Sequence, residues 1–286
     1  MDIAVGVPSH VPGARSRDLL AWARRAEELG FSSLVITDRF AYDQLEPLAV
    51  AAALGAVTSR IGLRLSVVLV PNRGSAGQLA KQLATVQVLA DGRLVAGVGV
   101  GDREIDYRLA GTEHRGRHAR LEAMLDEMLA VWSGADAERA AIGPRPAGGQ
   151  LPLMIGGSGE PTWRRVARYA DGWTMAVGRP EDFAAGAGAV REAWSAAGRG
   201  GRPLLTAQRY FGLGAANVAA AEGFLRDYFA FLGPATELVV RSAPTDEEAV
   251  TAAVTAFAAA GADELAFLPT SAGLDQLEAL AELLLI

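Results

Sequence analysis

The stretch LADGRLVAGVGVG runs from Leu89 to Gly101, and Asp102 follows it directly. Leu79, Leu83, Val86 and Leu89 recur at helical spacing, and Asp91-Gly92 supplies a two-residue turn. Arg93 to Gly99 then reads as a buried strand. A helix, a tight turn and a strand make up part of a parallel strand–helix unit. The strand delivers glycines and then a carboxylate at its carboxyl end. In strand–helix proteins, that end is where chemistry is placed.

The same alternation extends in both directions. Further strands are expected at Asp2–Val7, Ser33–Ile36, Ile61–Val70, Leu151–Ile155, Trp173–Val177, Leu204–Phe211 and Glu264–Leu268. Helices are expected at Asp18–Leu29, Pro47–Val57, Thr162–Tyr169, Asp182–Ala197, Val218–Leu232, Glu247–Ala260 and Leu274–Leu285. Leu121, Met124, Leu125, Met128, Leu129 and Trp132 form the strongest helical stripe, a core-facing one. Ser133–Gln150 reads as a loop and Thr236–Arg241 as an additional short strand. Each crossover helix returns the chain in the same direction, so eight such units imply a parallel sheet. Near-continuous apolar strands suit burial on both faces. The expected architecture is one α/β domain over residues 1–286, a closed (β/α)₈ barrel, with an open doubly wound sheet as the alternative. The chain has 286 residues, and such a barrel needs about 250.

Composition narrows the function. There is no cysteine, which excludes disulfides, thiolate metal sites and a cysteine nucleophile. Only three histidines occur: His10, His114 and His118. The last two are four apart but lie among Arg115, Arg117 and Arg120, which repel a cation, so no metal site is expected. The net charge of −6 is interspersed and offers no basic face to nucleic acid. No apolar run reaches the roughly 20 residues of a membrane span, and no signal-like segment opens the chain. A cytoplasmic protein is expected, with a homodimer through outer helices such as the Ala-rich Pro47–Val57.

Four strand ends carry unusual residues. Thr37-Asp38-Arg39 is either a cap or ion pair, or a ring contact plus a cation beside an anionic partner. Leu65-Ser66-Val67-Val68, on its residues alone, is ordinary core strand. Gly97-Val98-Gly99-Val100-Gly101-Asp102 is not the dinucleotide fingerprint, because Asp102 stands where the final glycine belongs. Gly97 and Gly99 either admit a planar ligand or allow tight packing on a neighbouring strand. Ile155-Gly156-Gly157-Ser158-Gly159 lies between a strand and a helix, where amides and a small hydroxyl form an anion site. His10, Tyr42, Tyr107, Trp173, Met175 and Tyr210 are candidate pocket walls, with core packing as the rival reading of each.

Three segments carry a resemblance: ARRAEELGFSSLVITDRF (23–40), AKQLATVQVLADGRLVAGVGVG (80–101) and LPLMIGGSGEPTWRRVARYADGWTM (151–175). In this order they resemble the bacterial luciferase-like superfamily of flavin- and deazaflavin-dependent oxidoreductases. The resemblance implies a (β/α)₈ barrel holding the deazaflavin coenzyme F420, or FMN, at the carboxyl ends of its strands. It implies a phosphate at Gly156, Gly157 and Ser158, and Asp38 near the ring. Counting back without gaps from Ala80-Lys81-Gln82, it implies a non-prolyl cis peptide between Ser66 and Val67. Asp102 matches the position of an acidic proton donor, although it is shorter than the usual glutamate. Arg39 stands where a histidine is common; arginine does not shuttle protons near neutrality. No basic cluster for a sugar phosphate is visible.

The implied activity is hydride transfer from reduced F420 to a C=C or C=N bond of a small organic substrate. Asp102, or water held by it, would supply the proton, and Arg39 would stabilise negative charge. An FMN-dependent monooxygenase served by a separate flavin reductase is the alternative, as is a non-catalytic flavin-binding barrel. Partners implied are the small-molecule substrate and a separate flavin or F420 reductase.

Overall fold

Eight parallel strands close on themselves in the computed structural model, which describes residues 1–285. They are β1 Asp2–Gly6, β2 Ser33–Ile36, β3 Gly62–Leu69, β4 Leu94–Gly99, β5 Leu153–Gly156, β6 Gly172–Met175, β7 Leu204–Phe211 and β8 Glu264–Pro269. Ring closure runs from Asp2 opposite Glu264 to Val5 opposite Phe267, so the sheet is a barrel and not an open one. Around it lie α1 Ser16–Leu29, α2 Pro47–Val57, α3 Ala76–Leu89, α4 Glu104–Leu109, α5 Arg117–Ser133 and α6 Ala137–Ala140. They are followed by α7 Glu160–Tyr169, α8 Pro180–Ala196, α9 Val218–Tyr228, α10 Thr236–Ser242, α11 Glu247–Ala259 and α12 Leu274–Leu284. Among the described residues, no helix is long and apolar enough to cross a membrane.

Three segments differ from expectation. Residues 236–241 belong to helix α10, not to a strand. The barrel is already closed through β7 and β8, and Thr236, Val239 and Val240 are buried at helical spacing. The helix expected to reach Leu232 stops at Tyr228, and a 3₁₀ segment, Ala230–Ala235, follows with Gly233 at φ 57° and Pro234 after it. Ser133–Gln150 is not all loop, since α6 lies within it, capped by Asp136.

Period-2 alternation divides the strand residues. One set, including Leu34, Ile36, Leu63, Leu65, Leu94 and Val98, packs outward against the helices in the main apolar cluster. In that cluster the indole N–H of Trp132 on α5 donates to the Ala80 carbonyl at 3.0 Å. The inward set includes many small or polar residues, with Val35, Met154 and Leu268 as larger apolar members. At the amino end of the barrel, Arg64 and Glu264 form a buried ion pair. Ser32 and Ser33 hydroxyls donate to Glu264 Oε2 at 2.7 and 3.1 Å. Removing one member would strand the other charge, at a cost of about 3–5 kcal/mol. Further up, Gln208 Nε2 donates to Ser66 Oγ at 2.5 Å, and Ser66 Oγ lies 3.5 Å from Thr174 Oγ1.

β3 carries one residue more than β4 between the pairs Leu65–Ala96 and Val68–Val98. This bulge contains Ser66 and Val67, and the peptide bond between them is cis. It brings Val67 across β4 and β5. A Cβ on Gly99 would lie 2.6 Å from Val67 Cγ2, and one on Gly156 would lie 2.8 Å from Val67 Cγ1. A Cβ on Gly97 would overlap the Leu65 carbonyl oxygen. The glycines that read as slots for a planar ligand are thus slots for the neighbouring strand. Gly97→Ala collides with backbone, so we expect it to lose at least about 3 kcal/mol of stability. Urea unfolding compared with Gly74→Ala, where a Cβ meets open space, checks this.

Candidate active site

The bulge forms the floor of a groove at the carboxyl rim. Three lobes meet there, and Ala176, just past β6, lines all of them.

The central lobe, about 200 Å³, lies over Ser66 and Val67 and is walled by Asp38, Arg39, Gln208, Tyr210 and Tyr228. Asp38 is only 5% exposed. Its Oδ2 accepts from the Leu69 amide at 3.0 Å and from Arg73 at 2.8 Å. Burial pushes this carboxyl up, while Arg73 and the Leu69 amide oppose the shift. Asp38 therefore ties the end of β2 to the exit of the bulge. Arg39 lies with its guanidinium carbon 3.4 Å from the centroid of the Tyr228 ring, and it donates to the Tyr228 carbonyl. Such cation–π contacts contribute about 2 kcal/mol when desolvated. Phe231 flanks the same guanidinium at 4.9 Å.

The second lobe, about 290 Å³, continues from Val67 past Gly99, Gly156 and Gly157 to Ser158, Thr162 and Arg165. Gly157 has φ +127°, a value that side-chain-bearing residues rarely adopt, and a Cβ there would lie 3.1 Å from Thr162 Oγ1. Thr162 Oγ1 donates to the Ser158 carbonyl at 3.0 Å and fixes the first turn of α7. Arg165 is 10% exposed, and its Nε donates to Glu122 Oε1 at 2.7 Å. His118, in the first turn of α5, lines the same lobe. Burial lowers its pKa, as do Arg165 and Arg117. Helix-start amides, hydroxyls and a guanidinium therefore converge on one end of the groove, an arrangement that accepts an anion.

The third lobe, about 620 Å³, opens between Arg209, Phe229, Phe231 and α10. Asp102 stands on the lip it shares with the second lobe. The Asp102 side chain is 85% exposed, and its Oδ1 lies 3.5 Å from Arg117.

The structure thus brings Asp38, Arg39, Ser66, Val67 and Tyr210 to the central lobe, and Gly99, Asp102, Gly156, Gly157 and Ser158 to its neighbour. Gly97 lies behind the floor against Leu65. Other expected wall residues sit elsewhere. Trp173 is on the outward set, stacked on Phe183 at 5.2 Å, with its indole N–H donating to the Gly157 carbonyl at 2.8 Å. Met175 shares a separate outer cavity with it. Tyr107 is buried, and its hydroxyl donates to the Val100 carbonyl. Tyr42 packs edge-on to Tyr228 and donates to Asp227 at 2.7 Å. His10 is fully buried under Tyr210, Phe224 and Tyr228, with Nε2 donating to the Pro269 carbonyl at 3.0 Å.

Sequence reasoning missed Gln208, Thr174, Tyr228, Arg165 and His118. Only Arg165 left a trace, since Thr162 and Arg165 fall at i and i+3 on one face of α7. Among the described residues, no group of three or more His, Asp or Glu could hold a metal ion.

A closed parallel barrel with an anion-accepting groove at its carboxyl rim is the class that fold and site define. The family model for luciferase-like monooxygenases matches residues 1–279, and the chain belongs to that family. It is 32% identical over 184 residues to an F420-dependent glucose-6-phosphate dehydrogenase of Nakamurella multipartita, covering 57% of this chain and 52% of that one. Matches to curated relatives span between 42% and 66% of their length. A solved F420-dependent secondary alcohol dehydrogenase, in complex with an F420-acetone adduct, superposes with a TM-score of 0.82 at 17% identity, covering 99% of this chain and 98% of that one. The oxygenating constituent of 3,6-diketocamphane monooxygenase of Pseudomonas putida, in complex with FMN, gives 0.75 at 14% identity, covering 100% and 97%. These structures share the fold.

Burial of the His10 ring, with the nearby Arg39 charge, lowers its pKa from 6.5 to about 4, against the hydrogen bond to Pro269. A histidine lowered on folding favours the folded state above its unfolded pKa, and that contribution is lost as pH falls from about 6.5 to about 4. At pH 4.5 the loss amounts to roughly 2–3 kcal/mol. In urea unfolding at pH 7 and 4.5, His10→Asn should lose that much less stability than the wild type between the two values.

Proposed function

We propose that this chain is an F420-dependent oxidoreductase that reduces a C=C or C=N bond of a small organic substrate. The observation that carries the reading is that the central and second lobes share Ser66, Val67, Leu69 and Ala176 as lining, and that the second lobe reaches a cradle at Gly157, Ser158, Thr162 and Arg165. A planar ring joined to a phosphate-bearing tail has that shape. The glycine-only conformation of Gly157 keeps the cradle free of a Cβ, which fits a phosphate. The 32% identity to an F420-dependent dehydrogenase supports the deazaflavin over FMN.

When bound, reduced F420 supplies a hydride. The chain's own residues position, neutralise and protonate. The Ser66, Thr174 and Gln208 trio stiffens the floor from below. Tyr228 and its carbonyl hold the Arg39 guanidinium beside the central lobe, where it offsets negative charge during transfer. Asp102, exposed on the lip, passes a proton from solvent to the substrate atom that did not receive the hydride. Hydride plus proton add across one double bond, and the cofactor is left oxidised.

Fluorescence titration with oxidised F420, run in parallel with FMN, tests the reading. F420 is expected to bind in the micromolar range and FMN more weakly. Tighter binding of FMN, with oxygen uptake when a flavin reductase is supplied, would establish the monooxygenase alternative; binding of neither ligand overturns the reading. Arg165→Leu should raise the Kd for F420 about tenfold or more, the size of a lost charge-assisted hydrogen bond. Asp102→Asn should leave that Kd within twofold and lower kcat by roughly 100-fold.

A further inference from the structure

The third lobe contains a cation that no side chain pairs with directly, although Glu181 and Asp182 act on it from a distance. Arg209, near the carboxyl end of β7, lines this lobe and is only 8% exposed. Its guanidinium carbon lies 4.9 Å from the centroid of the Phe257 ring. Among the described residues, no side chain or carbonyl forms an ion pair or hydrogen bond with it. Its guanidinium nitrogens are without protein partners and open onto the lobe, so an anion bound there gains direct charge-assisted hydrogen bonds.

The carboxylates nearby are already engaged. Asp182 lines the lobe, but its two oxygens accept from Arg179 at 3.0 Å each. Asp102, on the opposite lip, faces Arg117. Arg241 also lines the lobe, and its nearest acidic neighbour, Glu237, is paired with Arg226 at 2.8 Å. Arg209 and Arg241 therefore give the chamber net positive charge. The remaining wall is apolar, made by Val177, Phe229, Phe231, Leu232, Leu238 and Val239. Phe231, Leu232 and Leu238 are themselves exposed, an uncommon use of large apolar side chains unless something covers them.

We propose that the third lobe binds an organic monoanion with an apolar body, its carboxylate on Arg209 and Arg241 and its hydrocarbon against Phe231 and Leu238. The lobe adjoins the central lobe, sharing Ala176, Val177, Phe229 and Phe231 with it. On the reading of the groove given above, such an acid is the substrate class: an unsaturated carboxylate whose double bond reaches the Ser66–Val67 floor. The charged residues lining the lobe are Arg179, Arg209 and Arg241 against Asp102 and Asp182, one net positive charge, which suits a carboxylate better than a phosphate dianion.

The test is calorimetric titration of the full chain with trans-cinnamate and with its methyl ester, each with and without F420. The acid is expected to bind at least tenfold more tightly than the ester. Arg209→Leu should abolish that preference, Arg241→Leu should reduce it severalfold, and Arg209→Lys should keep part of it. F420 affinity should stay within twofold in all three variants. Equal binding of acid and ester, or a preference that survives Arg209→Leu, overturns the proposal. Should Arg209→Leu fail to fold by circular dichroism, the Lys and Arg241 variants decide it. A wild type that ignores F420 yet still prefers the acid sinks the cofactor reading and leaves the anion lobe standing; the reverse result sinks the lobe alone.

Discussion

The isopropyl group of Val67 fills space that two neighbouring residues leave empty. Gly99 and Gly156 would collide with it if either carried a Cβ, and Gly97 must stay bare for the Leu65 carbonyl behind it. This fit governs the rim. It lets β3 carry an additional residue without parting from β4. It sets Ser66 where Gln208 and Thr174 can reach it. It also makes the floor from which the three lobes radiate. Such a constraint is steric and short-ranged, and it differs in kind from the barrel's apolar cohesion, which tolerates exchange among similar volumes.

The framework was readable in the chain because its signals are local. Helical stripes, Gly30 as a left-handed cap, the Asp91-Gly92 turn and continuous apolar strands each depend on residues close in sequence. The glycine turn after β5 was readable for the same reason, since Gly156, Gly157 and Ser158 are consecutive. What escaped depends on distance along the chain. Tyr228 reaches Arg39 across 189 positions, and Gln208 reaches Ser66 across 142. Nothing in the alternation of residues 204–211 marks one side chain as a partner of another strand. The glycines of β4 show a subtler difficulty. Their spacing announced close approach correctly, but only the fold reveals that the approaching group is Val67 and not a ligand.

Aromatic residues posed the same ambiguity. Trp173 and Met175 alternate with Thr174, and a period of two gives no sign of which set faces the axis. The indole went outward against α8, whose Gly186 leaves room for it; a Cβ there would lie 2.6 Å from the Trp173 ring. The inward position between Trp173 and Met175 went to the smaller, polar Thr174. The barrel interior is therefore hydrogen-bonded at both levels, with the Arg64–Glu264 pair below and the Ser66–Thr174–Gln208 trio above. Buried polar networks lock side-chain orientation where every member is satisfied; Arg64 Nε and Nη2 are without partners, so this applies to the upper trio and not to the lower pair.

Ala176 is the one residue that lines all three chambers, and it carries only a methyl group. A methyl group at such a crossroads behaves as an open valve. Lengthening that single side chain would partition the rim into compartments while leaving every wall intact. Divergence in what the rim accepts could therefore proceed through one codon, with the barrel, the floor and the cradle carried along unchanged.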